Sequence, residues 1–221
     1  MFLKKFNEMP RKKLIKINEV NSFPNVFNLS ENPTEKDFRS YFNNENKIVL
    51  EIGCGHGDYT YNLAQHFPDK NFIGMDVKGS RIHAGATSVL ENKINNAAFL
   101  VGRAEKLNQV FENKSISEIL IPFPDPHVRR KSENRRLVSE YFLKIYKEIL
   151  TDEGKIHFKT DNDLLFDFSL NVISKLNLKI HFLVNDLQIN DESDIYRSIQ
   201  TRYEKHYRKD GRIIKYVCFG F

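Results

Sequence analysis

The sequence predicts an α/β fold built on a doubly wound, mostly parallel sheet of seven strands. Short apolar runs typical of strands alternate with segments of helical periodicity. The segments between most of these runs are long enough for the helical crossovers that parallel strands need. The length of 221 residues suits one domain with a sizeable core. These three observations favour a single sheet with helices on both faces.

The elements follow in a regular order. KIVLEIG at 47–53 is the first strand, and a glycine cluster and a helix at 59–67 come after it. Further strands are predicted at 71–77, 97–102, 118–123, 155–160 and 178–184, with helices at 80–95, 105–111, 136–150 and 163–176. The last strand, within 213–221, follows DLQIND and a charged, helix-like piece instead of a regular crossover, so an antiparallel insertion is an alternative there.

Residues 1–45 differ in character from the rest of the chain. They are polar, contain Pro10, Pro24 and Pro33, and show weak periodicity apart from an amphipathic candidate at 35–42. We predict an N-terminal basic arm at 1–45 and one domain at 46–221. No repeat or linker divides that domain.

Positive charge is concentrated in two places. The net charge is +5 and the pI is about 9.0, which is compatible with a polyanionic partner. One concentration is the N-terminal group that includes Lys4 and Arg11, and the other is the segment Arg129–Arg136, called here the basic segment. A solvated surface is the alternative explanation for such charges.

Several classes of protein are disfavoured. The chain has two cysteines, Cys54 and Cys218, in no metal-ligand spacing, so we expect neither a disulfide scaffold nor a metal site. No export signal and no apolar stretch of about 18 residues is present. We therefore expect a cytoplasmic protein without a membrane partner.

The turn after the first strand has the character of a nucleotide pocket. LEIGCGHG places Glu51 near the strand end and Gly53, Gly55 and Gly57 in the turn, where the backbone can approach a ligand closely. Asp76 ends the second strand, where an acid accepts hydrogen bonds from ribose hydroxyls. NAD stays open on these grounds, although its fingerprint has the spacing G-x-G-x-x-G. The G-x-G-x-G form with a preceding acid resembles motif I of class I S-adenosylmethionine-dependent methyltransferases, which have a Rossmann-like fold.

Two further residues follow the third strand on the same sheet edge. Arg103 is a poor partner for an adenine ring, whereas Ala104 and the backbone amides beside it are able to read the ring edge.

The fourth strand ends in PFPDPH, which places Asp125 on the edge that carries the glycine turn. The prolines on either side restrict the backbone and stiffen the loop. A proline-rich turn with a helix-capping Asp is the alternative.

The combination of FPDP, basic residues with RRL, HFKTDN and TRYE is similar to the bacterial tRNA (guanine-N7)-methyltransferase family over residues 47–221. The resemblance implies S-adenosyl-L-methionine as cofactor and a variable-loop guanosine of tRNA as methyl acceptor. It implies cofactor contacts for Glu51, Asp76 and Asp125, and a catalytic role for Asp125. It also implies substrate contacts for Arg129, Asp161, Thr201, Arg202, Tyr203 and Glu204.

The chain departs from the family pattern at two places. His127, Val128 and Arg129 stand where family members usually have Trp-Pro-Lys, and Arg103 stands where many have an acid. From spacing alone, Asp161 is also explained as a helix cap and residues 201–204 as an exposed helical turn.

The expected chemistry needs no proton abstraction, because N7 of neutral guanine carries no proton. We expect Asp125 to orient the base and stabilise developing positive charge. The five cations of the basic segment, Arg129, Arg130, Lys131, Arg135 and Arg136, are expected to hold phosphates. Tyr203, His127 or Phe123 is expected to stack on the base.

Two rival functions fit the same pattern in part. One is a class I methyltransferase that acts on another RNA, a protein or a small molecule. The other is an RNA-binding protein without enzymatic activity. The sequence leaves open whether the protein is a monomer or a homodimer.

Overall fold

The computed structural model describes residues 13–187 and 195–221. Their core is an eight-stranded sheet with the order β1-β4-β3-β2-β5-β6-β8-β7. The strands are β1 Val26–Asn28, β2 Lys47–Ile52, β3 Lys70–Asp76, β4 Ala97–Val101, β5 Ile116–Pro122, β6 Leu150–Thr160, β7 Lys179–Val184 and β8 Lys215–Gly220. All seven predicted strands are present, and the predicted α/β class is confirmed.

The six strands β1 to β6 run parallel to one another. β8 is antiparallel to both of its neighbours, β6 and β7. The last strand therefore inserts between β6 and β7. This is the antiparallel insertion that was the alternative for this strand. Strand order reverses between β2 and β5, so the loops after these two strands meet at one edge.

Besides the helical residues 13–20, eight α-helices lie among the described strands. They are α1 Glu35–Phe42, α2 Asp58–His66, α3 Gly79–Glu91, α4 Leu107–Val110, α5 Glu140–Ile149, α6 Asp163–Lys175, α7 Ile195–Ser198 and α8 Arg202–Lys209. Alternate side chains of each central strand face opposite sides of the sheet. Val49 and Phe72 pack with residues of α2 and α3, whereas Leu50 and Ile73 share a core with α1, α5 and α6.

The helix predicted at 136–150 begins later than expected. Arg130–Arg135 form a 3-10 helix, and Arg136 is extended with φ −66° and ψ 128°. Ser139 then caps α5 in an extended conformation. The predicted start at Arg136 is wrong because that side chain makes contacts outside the helix, which are described below.

Part of the segment before residue 45 packs on the sheet. Residues 13–20 are helical. β1 pairs with β4, and Phe38 and Phe42 of α1 lie in the hydrophobic core. Residues 1–12 of the predicted arm lie outside the described residues, and the division of the chain at 45 stays a prediction.

A partly buried polar cluster connects α7 to the sheet. Glu118 of β5 accepts hydrogen bonds from Lys70 Nζ at 2.8 Å and from Tyr196 Oη at 3.1 Å, and it pairs with His157 at 2.9 Å. Burial raises the pKa of Glu118, but His157 and Lys70 outweigh it and lower that pKa to about 2. These contacts fix the position of α7, and with it the start of the segment 199–204 that follows.

Within residues 13–187 and 195–221, no helix has the length and apolar character that crossing a membrane requires.

Candidate active site

A cleft of about 780 Å³ lies along the carboxyl ends of β2, β3, β4 and β5. Nine of the predicted site residues line it: Glu51, Gly53, Gly55, Asp76, Arg103, Ala104, Asp125, Thr201 and Tyr203. The predicted convergence of the glycine turn and Asp125 on one edge is confirmed. Five predicted residues do not line this cleft: Gly57, Arg129, Asp161, Arg202 and Glu204.

The glycine turn is held by the second strand. The N–H groups of Gly53 and Cys54 both donate to the carbonyl of Met75, at 2.8 and 2.9 Å. Gly55 has a φ of +56°, and a Cβ there would lie 3.5 Å from the ring of Tyr203. The turn therefore has a left-handed backbone with an aromatic ring beside it.

Gly57 does not line the cleft and has a packing role in this structure, while its predicted contact with a cofactor stays a prediction. A Cβ at Gly57 would come within 2.7 Å of the Phe99 ring and 3.1 Å of Gly85 Cα. Only glycine lets α2 start this close to β4 and α3.

Asp76 connects the ends of β3 and the glycine turn. Its Oδ2 accepts the Gly55 N–H at 3.0 Å and its Oδ1 accepts the Lys78 N–H at 2.8 Å. Each carboxylate oxygen keeps a further acceptor position. Asp76 is thus oriented by backbone donors while it lines the cleft.

Glu51 is the most perturbed acid of the cleft. Burial raises its pKa to about 8, although hydrogen bonds from Thr60 oppose this rise. The Thr60 N–H donates to Glu51 Oε2 at 2.9 Å. The carboxyl group is therefore largely protonated at neutral pH in the protein alone.

We expect Glu51→Gln to stabilise the fold more at high pH than at low pH. The native pKa of about 8 exceeds the ordinary 4.5. The stability that the protonated carboxyl contributes is fully present below pH 4.5 and is lost as the pH rises through 8. Gln stays neutral, so the change should be about 3 kcal/mol more favourable at pH 8 than at pH 5.

Urea unfolding of both proteins at the two pH values measures this difference. The control is Glu153→Gln, at an exposed position of β6. If the stability change caused by Glu51→Gln is the same at both pH values, the pKa of Glu51 is not raised in the folded protein.

Asp125 lies exposed on a strained loop. The residues two positions away on either side, Phe123 and His127, have φ angles of +52° and +42°. Such conformations cost about 1–3 kcal/mol each and persist only where the surroundings enforce them. In the described part of the chain, Asp125 has no hydrogen bond or ion pair, so its carboxylate is available to a ligand.

The capping alternative for Asp125 is not what the structure shows. The 3-10 helix that follows the loop begins at Arg130 and is preceded by Arg129 as its cap residue.

Arg103 and Ala104 lie at the end of β4. The Arg103 side chain is 72% exposed and reaches Glu105 at 3.9 Å. Ala104 is buried at the cleft wall. A small side chain there leaves room for a flat ligand, whereas Arg103 extends into solvent.

Residues 201–204 form the first turn of α8. The Thr201 hydroxyl accepts the Glu204 N–H at 3.1 Å, so Thr201 is the helix cap. Arg202 forms a bidentate pair with Asp58 at 2.9 and 3.0 Å. Of these four residues, Thr201 and Tyr203 reach the cleft.

Glu204 is fully buried and does not line the cleft, and the contact with guanine that the resemblance implies for it stays a prediction. Its carboxylate forms ion pairs with Lys159 and Arg208, both at 2.7 Å. Lys159 Nζ also donates to the carbonyls of Arg197 and Ile199. This buried cluster fixes the N-terminus of α8 and therefore the position of Tyr203.

Asp161 pairs with Arg212 at 2.7 Å and does not line the cleft. The cap of α6 is Asn162, whose side chain accepts the Leu165 N–H, so the capping alternative for Asp161 is also wrong. The Arg212 guanidinium lies 4.7 Å from the Tyr207 ring centroid. Asp161 thus holds Arg212 against the ring of Tyr207, which lines the cleft.

Tyr207 is a cleft residue that the sequence analysis missed. Its ring centroid lies 5.7 Å from that of Phe123. Burial and the charge of Asp161 raise its pKa, and Asp125 contributes to the rise. The spacing of four from Tyr203 was the signal that both rings share one face of α8.

The basic segment divides into exposed and buried cations. Arg129, Arg130 and Lys131 are exposed, and the exposed Arg135 lines the cleft. Arg136 is 2% exposed, so its predicted contact with a phosphate is wrong. A buried guanidinium needs protein partners instead.

The arrangement suits transfer of a group between two bound ligands. The cleft wall combines oriented acids and a glycine turn with Asp125, aromatic rings and the exposed cation Arg135. In the described ranges, no three His, Cys, Asp or Glu side chains are grouped to hold a metal ion.

Comparison with known proteins identifies the family. The model of a family described as "Putative methyltransferase" matches residues 45–217. A tRNA (guanine-N(7)-)-methyltransferase of Bacteroides fragilis is 37% identical over 219 residues, covering 96% of this chain and 86% of that protein. One of Cytophaga hutchinsonii is 36% identical over 222 residues, covering 96% and 99%.

A solved structure shows the same fold. The 16S rRNA methyltransferase KamB aligns with a TM-score of 0.64 at 13% identity, covering 85% of this chain and 93% of that chain. The sequence relatives, which span nearly the whole chain, carry the assignment. The chain belongs to the tRNA (guanine-N7)-methyltransferase family.

Proposed function

We propose that this protein transfers a methyl group from S-adenosyl-L-methionine to N7 of a variable-loop guanosine in tRNA, in the cytoplasm. Family membership supports the reaction. The structural observation that carries the proposal is the shared cleft, where an unpaired carboxylate, Asp125, lies with the glycine turn and with Tyr203 and Tyr207. In this proposal one edge of the sheet holds both reactants.

The cleft fits S-adenosyl-L-methionine by the chemistry of its groups. Two largely buried acids, Glu51 and Asp76, line it, and each is oriented by donors of the protein. These acids match the hydroxyl and ammonium donors of the cofactor, Gly53 and Gly55 allow close approach, and Ala104 leaves space for the adenine. When bound, the cofactor supplies an electrophilic methyl group on a sulfonium.

Asp125 would orient the base and stabilise charge. Neutral guanine has a lone pair at N7, so no group of the protein has to remove a proton first. The carboxylate accepts hydrogen bonds from the base edge and favours the positive charge that develops on the purine. The strained loop holds it in place before the substrate arrives, which contributes through orientation.

The substrate side of the cleft would receive a base that has left its stack. Tyr203 and Tyr207 present rings for stacking on it. Arg129 and Arg130 lie exposed just after the Asp125 loop and are placed to contact phosphates. The base is thus held by stacking and the tRNA backbone by charge.

Transfer of a labelled methyl group tests the proposed reaction. Purified protein is incubated with methyl-labelled S-adenosyl-L-methionine and bulk tRNA, and the tRNA is digested to nucleosides. We expect the label in 7-methylguanosine. Label in protein or in a small molecule favours the rival methyltransferase, and RNA binding without transfer favours the nonenzymatic RNA-binding protein.

Removing charge from Arg129 and Arg130 is expected to weaken tRNA binding. Each lost phosphate contact should lower the slope of log Kd against log salt by roughly one unit. The measurement is a salt titration of tRNA affinity for the Arg129→Gln/Arg130→Gln protein. The control is Lys47→Gln/Lys155→Gln, since both lysines lie exposed near the opposite edge of the sheet. Equal slopes for wild type and variant rule out these phosphate contacts.

A further inference from the structure

The loop that carries Asp125 is secured on one side by the sheet. The Phe123 N–H donates to the Lys159 carbonyl at 2.7 Å, directly after the end of β5. Pro124 and Pro126 have no N–H to donate. On the other side of the loop lies the strained residue His127. A hydrogen-bond donor that holds the carbonyls there has to come from another part of the chain.

Arg136 supplies donors to this far side. Its Nε donates to the carbonyl of Pro126 at 3.1 Å, and its Nη2 donates to the carbonyl of His127 at 3.2 Å. Two adjacent donors of one planar group thus contact two consecutive carbonyls. This contact begins one residue after Asp125.

The environment of Arg136 is built to hold the guanidinium. Its carbon centre lies 4.3 Å from the ring centroid of Phe168 in α6, and Glu133 lies 3.5 Å from its Nη1. The stacking fixes the plane of the group and the carboxylate offsets its charge. A lysine at this position has a point charge and lacks the planar fork.

We propose that Arg136 is a positioning residue that holds the loop 123–127, and with it Asp125, in the geometry that methyl transfer requires. This inference rests on the proposed function and adds a residue to it. Arg136 acts through the backbone of the loop and does not touch substrate. The neighbouring Arg135, exposed and lining the cleft, is the phosphate-facing member of the pair.

Kinetics separate the two arginines. For Arg136→Met and Arg136→Lys we expect kcat to fall roughly 10- to 100-fold, because a loop displaced by about 1 Å misplaces the carboxylate. The salt dependence of tRNA binding should stay as in wild type. Arg135→Met should instead lower the salt slope by roughly one unit, whereas the matched control Lys155→Met, at an exposed position of β6 outside the cleft, should leave both the salt slope and kcat nearly unchanged.

A second readout does not depend on activity. Val128 is 61% exposed, whereas Cys54 and Cys218 are buried, so a nitroxide attached at Val128→Cys reports on this loop. We expect the label to be more mobile in Arg136→Lys than with Arg136 intact. Arg136→Lys keeps the charge, and thermal unfolding of this variant verifies that the fold is retained.

The outcomes distinguish the inference from the proposed function. Failure of the wild-type protein to methylate tRNA overturns the proposed function, while the label mobility still reports on Arg136. Unchanged label mobility with unchanged kcat in both Arg136 variants overturns the positioning role. A lowered salt slope with normal kcat in Arg136→Met overturns it too, because Arg136 would then contact a phosphate.

Discussion

Asp125→Ala is expected to lower the single-turnover rate of methyl transfer by at least about 100-fold while tRNA affinity changes by less than about threefold. The carboxylate is exposed and has no hydrogen bond or ion pair in the described residues, so its removal leaves no buried partner unsatisfied. Its contribution is confined to base orientation and to charge that develops during transfer. The fold should therefore be unaffected.

Single-turnover kinetics with saturating cofactor and tRNA measure this effect. The control is Asp69→Ala, which removes an exposed acid from the turn before β3, on the opposite edge of the sheet. Asp125→Asn is expected to retain part of the rate, since its amide oxygen still accepts a hydrogen bond. A rate for Asp125→Ala that equals wild type removes Asp125 from the mechanism.

Lys159→Met is expected to destabilise the protein by about 3 kcal/mol, because it leaves the buried Glu204 carboxylate with one cation instead of two. It also removes the donor to the carbonyls of Arg197 and Ile199. These contacts hold the start of α8, so Tyr203 should shift from the glycine turn. We expect weaker tRNA and cofactor binding as well as lower stability.

Urea unfolding gives the stability change directly. Lys155→Met is the matched control, because Lys155 lies on the same strand with an exposed side chain. The double variant Lys159→Met/Glu204→Gln should recover part of the loss, since the unpaired charge is gone. Equal losses in the Lys159 and Lys155 variants contradict the stabilising role of the buried ion pair.

Much of the fold is predictable because its strands have strong local signals. Most of the predicted strands are apolar runs bounded by turn residues, and burial of both faces requires such runs. β7 is the exception, because its side chains are mostly exposed although its sequence is apolar. β1 has three residues and no such pattern, so it was missed. Its pairing with β4 depends on tertiary contacts that a short sequence window does not contain.

The site residues that could be predicted are acids that lie at the end of a strand, on the edge of the sheet where ligands bind. Glu51, Asp76 and Asp125 each follow or end a strand, so topology alone brings them to one cleft. The burial of Glu204 and Arg136 could not be predicted, because a charged residue in a polar stretch is usually exposed. Both are buried by partners that are distant in sequence, Lys159 and Phe168.

Methyl transfer to tRNA transcribed with 7-deazaguanosine in place of guanosine tests the central claim most directly. This RNA keeps the phosphates and the base edge that faces other bases, but position 7 has a carbon and no lone pair. We expect it to bind with an affinity similar to that of ordinary tRNA and to accept no methyl group. Transfer to this RNA at the ordinary rate would show that the nucleophile beside Asp125 is not guanine N7.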